Sequence, residues 1–193
     1  MVLTGVDVLK GFTRTRVLGS GYETGGLDAF PIANGYNVSM GNGDPVTLVN
    51  GVLELAGNDD VVLGILEQVD YINDDGELKN SDEFVAGTVS KAGAQVAGEY
   101  RQPVGLVSTN PNQLYAVRTA DNTTLAAAQI GETFAMTGFG PDATGRSQAI
   151  IDTDAVVSET NQMVTVVGLY VGRNSRFGET PVAVEVKLSN QGL

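Results

Sequence analysis

Residues 43–76 constrain the fold more strongly than any other stretch of this 193-residue chain. Two short apolar segments, residues 45–48 and 52–55, flank the pair Asn50-Gly51. Because Asn-Gly accepts the positive φ angles of a two-residue hairpin turn, the chain is predicted to reverse there. Residues 61–71 follow as one long apolar strand, and a second reversal is predicted at residues 73–76, where Asn and Asp precede a glycine.

The rest of the chain continues this pattern of short apolar segments and turns. Further strands are predicted at residues 84–89, 95–97, 104–107, 114–119, 134–137, 148–151, 163–171 and 182–188. The last strand alternates, with Val182, Val184, Val186 and Leu188 on one face. One short helix is predicted at residues 125–130, after possible capping residues and before Gly131.

Three glycines interrupt apolar strands, namely Gly64, Gly105 and Gly168. A glycine in a strand often marks a bulge or a sharp bend, and curved strands can close a barrel. The predicted fold is therefore mainly β: a single β-barrel or sandwich domain with one short helix and an extended N-terminal arm.

Residues 1–40 are predicted to form that arm, and residues 41–193 the barrel-like body. The first 40 residues are rich in Gly, Thr and Ser and lack sustained alternation, whereas residues 44–99 carry twelve acidic residues against Lys79 and Lys91. One interpretation is a flexible terminus beside an ordinary solvated acidic face. The other is an arm that becomes ordered when it docks onto another subunit.

Two sets of residues are candidates for a capsid or subunit interface. In the arm, aromatic and basic side chains alternate with small residues, and the candidates are Phe12, Arg14, Arg16 and Tyr22. Between the final two strands, the candidates are Arg173, Arg176 and Phe177. This second set fits either a plain basic loop or a partner contact, because protein interfaces favour Arg and aromatic residues.

The composition argues against most classes of enzyme. The chain has neither Cys nor His, so thiolate chemistry, Ser-His-Asp triads and histidine-bound zinc sites are excluded. A formal net charge of -12 disfavours binding to nucleic acid through phosphate contacts. Neither an export leader nor an apolar run of membrane-spanning length is recognised in the sequence, so we expect a soluble protein without membrane contact.

Carboxylates are the remaining candidates for chemistry. Asp59-Asp60, Asp74-Asp75 and the pair Asp152/Asp154 lie in or beside predicted turns, where Asp commonly caps backbone N–H groups. The glycine-rich loop at residues 138–147 lacks the Gly-Lys-Ser/Thr ending of a phosphate-binding loop and is predicted to be exposed. We therefore predict no catalytic residues, no cofactor and no metal.

The order of elements resembles one family, the small capsid decoration (cement) proteins of tailed bacteriophages. The resemblance covers roughly residues 30–191 and rests on GDPVTLVNGVLELAGNDDVVLGILEQVDYIN, then FVAGTV, LYAVRT and an alanine-rich helix, and finally VVGLYVGRNSRFGETPVAVEVKLSNQ. It implies a β-rich body that binds as a homo-oligomer, a trimer or dimer, to the major capsid protein on the outer surface of the head. The expected location is the virion surface after assembly in the host cytoplasm, and the expected role is head stabilisation.

Two other classes remain open. A virion-associated fibre or carbohydrate-binding module would also lack catalytic residues, but such modules usually present aromatic platforms, and this chain has no Trp and only 6% aromatic residues. The third class is an enzyme with a site made only of carboxylates or dependent on a metal.

Overall fold

The computed structural model describes residues 9–19, 26–57, 60–91, 102–156, 164–171, 175–189 and 191–192. The strands formed by these residues are, in chain order, β1 (Thr13–Val17), β2 (Asp28–Pro31), β3 (Met40–Gly41), β4 (Pro45–Val49), β5 (Val52–Leu55), β6 (Gly64–Ile72), β7 (Leu78–Ser81), β8 (Glu83–Phe84), β9 (Val104–Ser108), β10 (Gln113–Arg118), β11 (Thr133–Thr137), β12 (Ile150–Val156), β13 (Val164–Leu169) and β14 (Ala183–Leu188). A 3₁₀ turn, Ala127–Gln129, lies between β10 and β11.

The strands form two six-stranded sheets, which we call sheet A and sheet B, and a small third sheet. Sheet A has the order β1-β10-β14-β13-β11-β12. Sheet B has the order β2-β9-β6-β4-β5, with β7 also paired to β6, and β3 pairs with β8. The strand pairs are antiparallel, so the predicted mainly β fold is confirmed.

The chain leaves sheet A after one strand and returns to it much later. After β1, strands β2 to β9 build sheet B and the small sheet, and β10 to β14 then complete sheet A. Strand β1 pairs with β10, so that Thr13 lies opposite Ala116 and Val17 opposite Gln113. Sheet B is therefore an insertion between two neighbouring strands of sheet A.

Sheet A curls around the first core. Its last strand, β12, meets the end of β10 through a parallel bridge between Thr119 and Ile151, and the Ala120 N–H donates to the Ile151 carbonyl at 2.9 Å. The alternating residues of β14 face this core, as predicted, since Val182, Val184, Val186 and Leu188 are all buried.

Sheet B surrounds a second core. Its buried residues include Leu53, Leu66, Val69 and Val107, and Met40 and Phe84 of the small sheet pack against them. The two sheets meet where Val62 and Ile65 enter the core of sheet A. The described residues thus form two large adjoining cores, an arrangement that is consistent with the predicted β sandwich and is not one closed barrel.

Local turn chemistry matches the sequence closely. Asn50 and Gly51 have φ angles of 52° and 83° between β4 and β5, as the predicted hairpin requires. At the second reversal, the Asn73 side-chain oxygen accepts from the Asp75 and Glu77 N–H groups at 3.1 and 2.8 Å, and Gly76 has a φ of 80°. Both hairpins are fixed by residues within the turns themselves.

The three strand glycines have two different roles. Near Gly168 the register between β13 and β14 shifts, as expected for a bulge. A Cβ at Gly64, however, would lie 2.3 Å from the Ser108 carbonyl oxygen, and one at Gly105 would lie 2.5 Å from Leu53 Cδ2. Gly64 and Gly105 therefore permit close packing between neighbouring segments.

Some predicted elements are shorter than expected. The strand at residues 84–89 is reduced to the two residues of β8, and the helix at residues 125–130 is a 3₁₀ turn. The predicted strand at residues 95–97 lies outside the described residues. Leu125 is nevertheless buried in the core of sheet A, so this segment serves as a packed connection.

The largest difference from the prediction concerns the N-terminal arm. Thr13–Val17 is a strand of sheet A, Asp28–Pro31 is a strand of sheet B, and Ile32 and Met40 are buried in the second core. The described residues before 41 thus belong to the body. Strand β1 is ordered by pairing with β10, and β2 by pairing with β9. The local sequence pattern of these two segments is too weak to predict either strand.

Candidate interaction surfaces

Phe12 was a candidate interface residue, but its side chain lies in the core of sheet A and is 1% exposed. Its ring packs edge-on against Tyr115, with the ring centroids 6.1 Å apart and an interplanar angle of 83°. The Tyr115 hydroxyl donates to Ser108 across the junction between the sheets. Phe12 therefore stabilises the fold and is not available to a partner, which corrects the sequence prediction.

Arg14 and Arg16 are also engaged within the chain. Arg14 Nε lies 3.2 Å from Glu67 Oε1, so this pair links β1 of sheet A to β6 of sheet B. Arg16 donates to both carboxylate oxygens of Glu185 on β14, at 3.5 and 3.0 Å. The pKa of Arg16 is raised above its ordinary value, first by the hydrogen bonds to Glu185 and then by the negative charge of the Glu185 carboxylate.

These two arginines therefore hold β1 in place, and Arg16 remains exposed at the surface. Their candidate companion Tyr22 lies outside the described residues, as does Arg173 of the second set. A chain shortened by its first 22 residues would lose Phe12 and β1 together. Loss of binding by such a shortened chain would therefore reflect loss of folding, and it would not show that the arm attaches to a partner.

Arg176 and Phe177 do lie at the surface, as predicted for an interface. Together with Val171 they form what we call the Phe177 surface, next to the end of β13. Val171 is 91% exposed and Phe177 is 42% exposed, while Arg176 is also exposed. No carboxylate of the described residues forms an ion pair with Arg176. This surface thus combines apolar area with a positive charge that no described carboxylate pairs with.

A shallow cleft of about 320 Å³ adjoins the Phe177 surface. It is lined by Leu169, Val171, Ser175 and Arg176. The Ser175 hydroxyl oxygen accepts from the Ala183 N–H at 3.1 Å, and the Gly178 N–H donates to the Leu125 carbonyl at 3.0 Å. These bonds attach residues 175 and 178 to the body, so Arg176 and Phe177 lie between two anchored positions.

A second concave surface, the sheet B groove, was not foreseen from the sequence. It has a volume of about 530 Å³, and its lining includes the apolar side chains of Ala29, Pro31, Ile72, Leu78, Val104 and Leu106. Leu78 is 65% exposed. On β9, the lining residues Val104 and Leu106 alternate with the buried Gly105 and Val107. On β2 and β7, the lining residues Ala29 and Leu78 are exposed, and neither strand was predicted from the sequence.

One carboxylate lies in the lining of this groove. Asp70 Oδ1 accepts from Gln68 Nε2 at 2.8 Å and from Asn80 Nδ2 at 2.7 Å. Both of these bonds go to the same oxygen, which leaves Oδ2 without a hydrogen-bond donor among the described residues. The groove therefore offers an apolar floor and an acceptor for a positively charged group.

Asp44 is a buried acid that the sequence analysis passed over. Its carboxylate accepts from the Gly41 N–H at 2.7 Å, from the Gly140 N–H at 3.0 Å and from the Ser147 hydroxyl. Burial raises the pKa of Asp44 above its ordinary value, although the three hydrogen bonds oppose this shift. The Asp44 network joins sheet B to the glycine-rich loop that precedes β12.

That loop is therefore not the fully exposed segment that was predicted. Gly140, Gly145 and Ser147 are buried, because the loop lies against the segment around Gly41. A Cβ at Gly41 would come within 2.6 Å of the Gly145 carbonyl oxygen. The only sequence signal was the run Gly41-Asn42-Gly43-Asp44, in which small residues surround an acid.

Asp60 and Asp74 lie in turns, as predicted, whereas Asp152 and Asp154 lie within strand β12. Asp60 accepts from the Gly57 N–H at 2.7 Å, and Asp152 accepts from the Asp154 N–H at 3.0 Å. Asp74 forms an ion pair with Lys91 at 2.7 Å. Asp59 lies outside the described residues.

Within the described ranges, no group of three or more acidic side chains is arranged to hold a metal ion. No helix in this part of the chain is long and apolar enough to span a membrane. No family model matches this chain, and no curated protein or solved structure matches it.

Proposed function

We propose that this protein is a structural virion protein that binds the outer surface of a tailed-bacteriophage capsid and stabilises the head. The observation that carries the proposal is the Phe177 surface. It places two exposed apolar side chains beside an arginine that has no ion-pair partner among the described residues, on the surface of a strongly acidic molecule. Arg and aromatic residues are enriched where proteins bind one another.

The rest of the molecule supports the same role. Two antiparallel sheets with adjoining cores give a rigid body, and a head-stabilising protein needs rigidity and a repeated contact. The formal charge of -12 favours solubility of the free protein, while the local positive charge of Arg176 favours an acidic site on the shell. The proposed partner is the major capsid protein, and symmetry would multiply a modest contact over the head.

Sedimentation with expanded empty heads of the cognate phage tests the proposal. The full chain is expected to pellet with the heads and to saturate at a fixed number of copies per head. The double variant Arg176→Glu/Phe177→Ser is expected to bind at least tenfold more weakly, since it reverses the charge and removes the ring. Lys79→Glu is the matched charge control, because Lys79 lies on β7 and outside the Phe177 surface.

Failure of the wild-type chain to pellet with the heads would overturn the proposal. A glycan array would then test the alternative of a fibre or carbohydrate-binding module. Equal binding by wild type and the double variant would keep a shell-binding role but exclude the Phe177 surface as the attachment site.

A further inference from the structure

We propose that the Phe177 surface of one copy binds the sheet B groove of a second copy. This inference goes beyond shell attachment, because it identifies a contact between copies of the free protein. The shell contact of the proposed function uses the same Phe177 surface, so each copy makes one of the two contacts at a time. It does not require that the shell be the partner. Two complementary surfaces on the same molecule carry the argument.

The first step is apolar complementarity. The Phe177 surface projects Val171 and Phe177, which are 91% and 42% exposed. The sheet B groove is concave, has a volume of about 530 Å³, and is lined mainly by aliphatic side chains. Removing an exposed aromatic ring and an exposed valine from water into such a groove is favourable in proportion to the apolar area buried.

The second step is charge complementarity. Arg176 stands beside Phe177 and has no ion-pair partner in the described part of the chain. In the groove, Asp70 is held by Gln68 and Asn80 through one oxygen, and its other oxygen remains open to a donor. Because a guanidinium donates several hydrogen bonds in a fixed plane, Arg176 suits such a preoriented carboxylate. The charge pair also fixes how the two surfaces are aligned, because apolar contacts alone are not directional.

The third step is the placement of the two surfaces. The Phe177 surface belongs to sheet A, whereas the groove lies on sheet B, and none of the Phe177 surface residues lines the groove of its own chain. Each copy therefore has one projecting surface and one receiving groove. Contacts of this kind close into a ring, pair reciprocally about a two-fold axis or, where the rotation does not close, form an open filament. The first two forms agree with the expected trimer or dimer.

The contact is small compared with a permanent interface. One loop in one groove buries less than the roughly 1,200–2,000 Å² of a stable protein complex, so the free protein should associate weakly. We expect a dissociation constant on the order of 10–100 µM.

Sedimentation-velocity ultracentrifugation of the full chain tests this inference without any shell. The wild type is expected to show a rising mean mass between about 1 and 500 µM, in line with that dissociation constant. Arg176→Glu and Asp70→Lys should each remain monomeric over the same range. The double variant, which exchanges the two charges, should regain association.

An equimolar mixture of the two single variants gives a second test of the same geometry. Each variant supplies the surface that the other lacks, so mixing should also restore association. Lys187→Glu and Asp154→Lys are the matched controls, because they make the same charge changes on β14 and β12 and should associate like the wild type.

Folding of each variant is checked by its urea unfolding curve. If Asp70→Lys does not fold, Asp70→Asn takes its place, because the amide oxygen still accepts from Gln68 and Asn80 but carries no charge. Asp70→Asn should weaken association at least fivefold. A monomeric wild type at 500 µM, or charge variants that associate as the wild type does, would overturn the inference and leave the result with empty heads unaffected.

Discussion

Asp44 shows how one residue can join two parts of a β structure. Its carboxylate accepts from two backbone N–H groups and one hydroxyl, and no basic side chain is among these donors. We predict that Asp44→Asn lowers the free energy of unfolding by about 2 kcal/mol, because an amide nitrogen faces a donor where the carboxylate oxygen accepted. Urea unfolding at neutral pH measures this loss.

Asp75→Asn is the control, since Asp75 lies in the exposed turn after β6. It should change the free energy of unfolding by less than about 0.5 kcal/mol. Equal stability of wild type and Asp44→Asn would contradict a structural role for the buried carboxylate.

The pKa of Asp44 also has a consequence for pH dependence. Burial raises its pKa in the folded state, so the folded protein binds this proton more tightly than the unfolded chain does. Stability from this group is therefore greatest below the ordinary Asp pKa and is lost as pH rises through the raised value. The stability difference between wild type and Asp44→Asn should widen as pH falls from neutral towards the ordinary Asp pKa.

Urea unfolding of both proteins at several pH values measures that difference. Groups with lowered pKa values, such as Glu77 beside Lys79, behave in the opposite way but contribute equally to both proteins. A difference that stays constant or narrows with falling pH would show that the pKa of Asp44 is not raised.

Phe12 provides the clearest test of the corrected N-terminal region. Its ring is almost fully buried against Tyr115, so Phe12→Ala should lower the free energy of unfolding by about 4 kcal/mol. Chemical denaturation measures the loss, and Leu18→Ala on the exposed side of the same segment should cost much less. Unchanged stability in Phe12→Ala would restore the view of an arm that docks only on assembly.

At the scale of single elements, two glycines with similar sequence surroundings should respond differently to the same substitution. Gly64→Ala should cost about 2–3 kcal/mol, because the new Cβ would meet the Ser108 carbonyl oxygen on β9. Gly168→Ala should change stability by less than about 0.5 kcal/mol, since nothing lies within 4 Å of a Cβ there. The midpoints of urea unfolding compare the two, and equal costs would contradict the packing role assigned to Gly64.

The elements that the sequence predicted well are those fixed by nearby residues. The Asn50-Gly51 turn needs only its own φ angles, and the alternation of β14 needs only one buried face. In contrast, β1 has no strong pattern of its own and is ordered by pairing with β10. Its partner lies about a hundred residues away, so local periodicity could not reveal it.

The same distance limits what could be predicted of the candidate site. Charge and aromatic content selected Arg14 and Arg16 together with Arg176 and Phe177, but they could not show which arginines have partners. Glu67 and Glu185 reach the first two from remote strands, while Arg176 forms no ion pair among the described residues. The sheet B groove depends on four strands converging, and therefore had no signal in any single segment.

At the scale of the whole molecule, sheet B is inserted between β1 and β10, so the two cores are tied together at both ends. Arg14 and Glu67 span this junction, as do the Gln191 side chain and the Leu63 carbonyl, 3.4 Å apart. This connection gives one rigid support for the Phe177 surface and the sheet B groove. Such rigidity would suit a protein that stabilises a shell. A rigid body would not deform when the shell is under strain, so the strain would act on the contacts between the protein and the shell.

Electron cryomicroscopy of expanded empty heads, with and without the purified full chain, tests the central claim most directly. The account predicts added density at fixed symmetry positions on the outer surface, with a β-rich body that fits sheets A and B. Heads that are indistinguishable with and without the protein would contradict the proposed function.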